Sequence, residues 1–277
     1  MPKRAPVMTI ARMEFTAASR LWWIRLFVLA YALMTVVIAQ TAVVSGEGGP
    51  RDAFARLTVA LLPLALMLVP LAGLLMGVSS VSNDHEASGF LLALPVSSFQ
   101  AIVGRWLGQA AALAVALIGG FGAGGLIVWA SNGAADVFRF AILVAGCVLL
   151  AMAFLSMATL VAAMVANRGA ALGISTFIWF VAVIFYDAAA LAAAVSLTGR
   201  AGTRLLFASV FVNVVDLVRI LTLTLAGTPH ILGVAGDSWM RTLGGPAPIA
   251  ALAVTTLVAW VLLPLAISIR LTGARDL

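Results

Sequence analysis

An all-α membrane protein that crosses the bilayer six times is the fold class this sequence predicts, and three observations predict it. Hydrophobic residues make up 64% of the chain and the mean hydropathy is +1.16, against roughly 45–50% apolar content in a soluble domain. Charged residues are 9% of the total, where a soluble domain carries about 25%. The remaining charges fence long uncharged runs, each long enough to cross a ~30 Å hydrocarbon core as helix. The runs lack the alternation of barrel strands, so their backbone groups are expected to pair within helices.

The elements follow in order, within a single transmembrane domain over 1–277. Residues 6–23 predict a helix lying in the membrane interface. Thr9, Arg12, Thr16 and Arg20 recur at three- and four-residue steps as a narrow polar stripe, with Glu14 beside it and apolar residues covering the rest. Trp22 and Trp23 suit the headgroup level. The spans are expected at about 26–46, 57–82, 106–130, 140–166, 170–197 and 248–269. The first, uncharged from Leu26 to Gly46, exceeds the 7–15-residue apolar core of a signal peptide, so it is expected to be an uncleaved anchor. Pro63 and Pro70 lie inside the second span and are expected to kink it.

Residues 205–240 are different. Their apolar runs are short and broken by Asp216 and Arg219. One straight helix could cross there only with an ion pair at its centre, so a re-entrant or interfacial hairpin on the periplasmic side is expected. Asp216 and Arg219 stand three apart and share a helix face, where they can pair.

Orientation follows from arginine and lysine in the short flanks. With the N-terminus inside, that side holds Lys3, Arg4, Arg12, Arg20, Arg25, Arg105, Arg168, Arg270 and Arg275; the outer short loops hold Arg51, Arg56 and Arg139. Both termini are therefore expected in the cytoplasm of a bacterium, with the spans in its inner membrane. A seventh span would reverse the C-terminus.

Glycines recur four apart at Gly73/Gly77, Gly104/Gly108, Gly120/Gly124 and Gly169/Gly173. Small residues one turn apart let membrane helices approach closely, so a tightly packed bundle is expected.

Several functions are excluded or disfavoured. The chain has one lysine, Lys3, and no glycine-rich turn followed by Lys-Ser or Lys-Thr, the pattern that cradles nucleotide phosphates. Energy must come from a partner or from an ion gradient. The net charge of +6 is spread in ones and twos between spans, which is a topology signal and not a nucleic-acid surface. Cys147 is the sole cysteine, and His85 and His230 are the two histidines, too few for a usual zinc site. Met152, Met157 and Met164 lie in span four but read as packing rather than as copper ligands.

The segment between spans two and three carries the most information. Asp84 and Glu86 come first, then Gly89, then Leu91-Leu92-Ala93-Leu94-Pro95-Val96-Ser97, and later Gly104-Arg105-Trp106-Leu107-Gly108. The leucine run is too short to span and reads as a brief amphipathic helix at the inner face, within a loop over 83–104. Here the chain resembles the permease subunits of ABC transporters of the type-2 exporter class, which carry an acidic pair, a glycine, a leucine-rich stretch ending in Leu-Pro-Val-Ser and a Gly-Arg/Lys-x-x-Gly. Ile10-Ala11-Arg12-Met13-Glu14-Phe15 is similar to that family's opening motif. Phe185-Tyr186-Asp187, the stretch Asn213-Val214-Val215-Asp216-Leu217-Val218-Arg219 and the Asp276-Leu277 ending resemble its NosY branch, which works in nitrous oxide reductase maturation. The chain departs from the family in a shorter segment between Gly89 and Pro95 and in Phe90-Leu91 where Thr-Leu is usual.

The resemblance implies a homodimer of six-span subunits, each bound to a separate cytoplasmic ATPase that holds ATP and Mg, with no cofactor on this chain. It also leaves room for a periplasmic accessory protein. Asp84 and Glu86 would pair with basic groups of the ATPase, and Leu91, Leu94 and Pro95 would dock it. Spans two and five, with Pro63, Pro70 and Asp187, would line the path or meet the second copy. Asp187 is a carboxylate inside a span, which rarely faces lipid. It is open to lining the path, contacting the dimer partner, or pairing with Arg200 or Arg204. The competing reading is an ion-coupled secondary transporter with Asp187 as proton carrier, although no internal repeat of that class is visible. An intramembrane hydrolase is disfavoured, since no G-x-S-x-G occurs and both histidines lie outside the spans.

Overall fold

Runs of alanine, leucine, valine and glycine with scattered hydroxyls leave the backbone nothing but itself to bond, and the result is a bundle of long helices. The computed structural model describes residues 5–44, 53–91, 97–133, 137–165, 167–197, 200–226, 240 and 243–273. In chain order these form α1 (Ala5–Arg20), α2 (Trp22–Val44), α3 (Ala53–Leu91), α4 (Ser98–Asn132), α5 (Val137–Met164) and α6 (Arg168–Phe180). A π-helical turn (Val181–Phe185) then leads into α7 (Tyr186–Ser196), followed by α8 (Arg200–Val212), α9 (Val214–Leu225) and α10 (Pro246–Gly273). There is no strand among the described residues.

Six helical segments are long and apolar enough to span: α2, α3 to Ser79, α4 to Ser131, α5, the run α6–π turn–α7, and α10. The protein is an all-α polytopic membrane protein. α8 and α9 turn on each other by 107°, so they form a bent pair and not a straight seventh helix. Asn213 sits at the corner in extended conformation and caps α9, its side chain accepting from Val215 N–H.

Several element bounds differ from the sequence expectation. The interfacial helix ends at Arg20, and Trp22 and Trp23 open α2 instead of closing α1. The helix of span two runs through Pro63 and Pro70 and on to Leu91, so residues 83–91 prolong it rather than making a separate short helix. α4 begins at Ser98, eight residues before the expected 106, because Ser97 and Gln100 form a reciprocal capping box.

α5 is the axis of the bundle. It packs against α3, α10, α4 and α9, and Phe140, Leu143, Cys147, Leu150, Phe154 and Leu155 are buried along it. Three of the four glycine pairs are helix seats. A methyl group on Gly73 would lie 2.6 Å from Ala151 O, and one on Gly77 would collide with Ala158, which fixes α3 on α5. Gly104 and Gly108 back onto Val7, Ile10, Ala11 and Glu14 of α1. Gly120 and Gly124 back onto Tyr31 and Thr35 of α2, where Thr35 Oγ1 also donates to Gly120 O at 2.8 Å. The fourth pair differs: Gly173 meets nothing within 4 Å. The fifth span is the least enclosed, 6% of its apolar 18-residue stretch being buried against 61% of the corresponding stretch in α5.

Candidate functional site

The polar groups of the bundle gather where the fifth span meets the bent pair. α6 loses its regular pitch at Val181, and the π turn carries the chain to Tyr186 and Asp187. A π turn leaves a carbonyl out of the usual ladder, and such turns are frequent at functional sites. Asn213 Nδ2 donates to the carbonyl of Ala182 within that turn at 2.9 Å. Tyr186 O–H donates to Ser209 O at 2.6 Å. Arg219 Nη1 lies 2.8 Å from Asp187 Oδ2 and 2.6 Å from Asp216 Oδ1. Asn213 also donates to Asp216 Oδ2 at 3.3 Å.

Electrostatics follow from this list. One guanidinium serves two carboxylates, so the trio carries one net negative charge when both acids are ionised. Asp216 is nearly enclosed, its side chain 9% exposed, whereas the side chains of Arg219 and Asp187 are 33% and 44% exposed. Of the readings open to Asp187, an ion pair is the one the structure shows, and its partner is Arg219. The reason is geometric: α8 runs back along α7, Gly202 lying on Ala194 O and Ser209 O accepting from Tyr186, and the turn at Asn213 sets α9 so that Arg219 reaches Asp187.

A cavity of about 510 Å³ opens next to the trio, walled by Pro63 and Met67 of α3, Val183 and Ile184 of the π turn, and Val215 and Arg219 of α9. Its remaining wall is aliphatic, and Arg219 is its one charged lining residue among the described residues. Trp179 Nε1 donates to Met67 O at 2.9 Å and pins the fifth span to α3 beside it. Pro63 is exposed there, whereas Pro70 is buried within the bundle.

At the other end of the bundle, α1 lies across the start of α4. Glu14 and Arg105 pair at 3.2 Å, Ala11 and Ala18 are buried, and Arg12 and Arg20 are exposed. Trp106 Nε1 donates to Ser156 Oγ at 2.9 Å and joins α4 to α5. Asp84, Glu86 and Leu91 fall on the last turns of α3. Leu94 and Pro95 lie outside the described residues.

Sequence reasoning named Asp187, Asp216 and Arg219 but not the trio, and it gave no role to Asn213, Tyr186, Trp179 or Arg105. A signal for three of these was present: Arg105 stands in the Gly-Arg-x-x-Gly stretch. Tyr186 and Asn213 belong to the two stretches with family character, and those stretches meet in space. The π turn has no sequence signal.

Comparison with known proteins agrees along the whole chain. Residues 8–277 match the model of the ABC-2 family transporter proteins. The chain is 31% identical over 230 residues to the probable ABC transporter permease protein NosY of Pseudomonas aeruginosa, covering 79% of this chain and 82% of that one. It is 28% identical over 273 residues to the protein of the same name from Stutzerimonas stutzeri, covering 92% and 93%. An all-helical bundle of six spans, matched from residue 8 to the last, places this chain in the ABC-2 family of transporter proteins, as a permease subunit.

Proposed function

We propose that this chain is the membrane half of an ATP-driven exporter of the bacterial inner membrane. It acts as a homodimer whose two copies each bind a separate cytoplasmic ATPase, and both termini lie in the cytoplasm. ATP and Mg are held by the ATPase. The observation that carries the reading is the family match over 8–277 in a chain without a nucleotide-phosphate loop.

The end of α3 and the start of α4 are the parts that receive the force. Asp84 and Glu86 meet basic groups of the ATPase, and Leu91, Leu94 and Pro95 supply the apolar contact. α1 moves with them, because Gly104 and Gly108 leave no room between α1 and α4 and Glu14 is paired with Arg105 across the contact. Displacement of the α3 end is passed along one helix to Pro63 and the cavity, where the fifth span and the bent pair complete the path. Its work belongs to nitrous oxide reductase maturation, as the resemblance of its Phe185-Tyr186-Asp187 and Asn213–Arg219 stretches to the NosY branch implies, with a periplasmic protein as a further partner.

The test is purification of the full-length chain in detergent from its own host. A separate polypeptide with a nucleotide-phosphate loop should co-purify, and Leu94→Asp should lower its retention and its transport-linked ATP hydrolysis by about tenfold or more, the scale of losing one apolar anchor. Proton-driven transport by the chain alone, without ATPase, would overturn the reading in favour of the secondary transporter.

A further inference from the structure

The ion pairs leave part of Arg219 unused. Both of its carboxylate contacts run through Nη1. Among the described residues, its Nε and Nη2 hydrogens donate to nothing. A guanidinium carries five N–H donors, and Arg219 lines the wall of an otherwise aliphatic cavity of about 510 Å³. Inside a membrane bundle, donors without acceptors are costly. A cavity of this volume, with apolar walls and few polar groups, has the make-up of a site for a small molecule.

Charge narrows the choice of molecule. With both acids ionised, Arg219, Asp187 and Asp216 together are net negative, so an anion entering the cavity adds to charge of its own sign. A cation meets the guanidinium first, since Arg219 is the charged group that lines the wall. An uncharged oxygen accepts from Nε and Nη2 without adding charge in either direction. The aliphatic walls given by Pro63, Met67, Val183 and Ile184 require that the rest of the molecule be apolar.

We propose that the cavity binds an uncharged lipid ester of the diacylglycerol type, its ester carbonyl held by Nε and Nη2 of Arg219 and its acyl chain laid between α3 and the π turn. The assignment deepens the exporter reading by naming a class of molecule the subunit accepts. It rests on that reading for transport and not for binding.

The experiment titrates the full-length chain with dioleoylglycerol, oleic acid and oleylamine, probes built on the same eighteen-carbon chain, which the diester carries twice, and reads bound probe by native mass spectrometry. Dioleoylglycerol should bind about tenfold more tightly than the acid or the amine, the scale of one or two hydrogen bonds to a charged donor. Arg219→Lys keeps a cation for both aspartates but loses the planar fork, and should erase most of that preference. Met67→Trp and Ile184→Trp place bulk at half-exposed wall positions and should weaken dioleoylglycerol binding, with thermal unfolding close to that of the parent. Equal binding of all three probes, preference for the acid, or binding of none would overturn the proposal. So would a dioleoylglycerol preference untouched by Arg219→Lys and by both tryptophan variants. Loss of this binding with ATPase association intact rejects the ligand alone, and the reverse outcome rejects the exporter role alone.

Discussion

Arg219 is shared by carboxylates from two helices, and that arrangement makes it worth more than a surface pair. Removing it by Arg219→Leu leaves two acids facing each other with no cation. The cost should be about 2–4 kcal/mol, somewhat under a fully enclosed pair, because Asp187 keeps 44% of its side chain exposed. Thermal unfolding of the purified protein measures it. Adding Asp216→Asn to Arg219→Leu should recover part of the loss, since the second change removes a charge that the first left unpaired; purely additive costs would mean that the two side chains do not interact. The same residues show what a sequence can reveal at this scale. Spacing alone places Asp216 and Arg219 on one face, and a carboxylate at 187 inside an apolar run demands a partner. Which partner depends on where α9 lies after the turn at Asn213, and that is decided by packing on α5 and α10, far away in sequence. Arg204 is nearer along the chain, and the cation that reaches Asp187 is Arg219.

Helices here are seated by glycine, and the seats are not equivalent. A side chain at Gly77 would enter the space held by Ala158 and by Leu155 O, whereas one at Gly173 meets open space. Gly77→Val should destabilise by about 1–3 kcal/mol, the range for overpacking. Gly173→Ala should be neutral or stabilising by roughly 0.5–1 kcal/mol, the ordinary helix preference for alanine. Denaturant titration of the two variants separates them; equal losses would mean that α3 and α5 are not held in this contact. The four-residue spacing is identical in all four pairs, so sequence gives their existence and not their use. Helix ends show the same boundary. Ser97 with Gln100 is a capping signal legible in the sequence, and it starts α4 well before the first uncharged stretch. The prolongation of α3 through residues 83–91 has the opposite character. Acidic and polar residues there read as a loop, yet nothing among them except Gly89 opposes a helix already under way.

At the scale of the whole molecule, the proposed function requires that the two ends of α4 lie on opposite sides of the membrane, in one particular sense. Ser97 and Ser131 bracket that helix and are both exposed. The 35 residues of α4 rise about 52 Å at 1.5 Å each, more than the ~40–45 Å of a bilayer with its headgroups, so each serine reaches water on its own side. The natural thiol is out of the way, Cys147 being fully buried, and Cys147→Ala removes it with little loss of volume. In that background, Ser97→Cys should react with a membrane-impermeant maleimide in inside-out vesicles and stay unlabelled in intact spheroplasts. Ser131→Cys should do the reverse. Labelling of both from one side would deny that α4 spans. The opposite pair of results would put the α3–α4 link outside, where no cytoplasmic ATPase could grip it. Arginine and lysine in the short flanks argue for the sense expected here, and the glycine-locked contact of α1 with α4 places the N-terminal helix on the same side as Ser97. The orientation of the whole subunit therefore turns on a single pair of thiols.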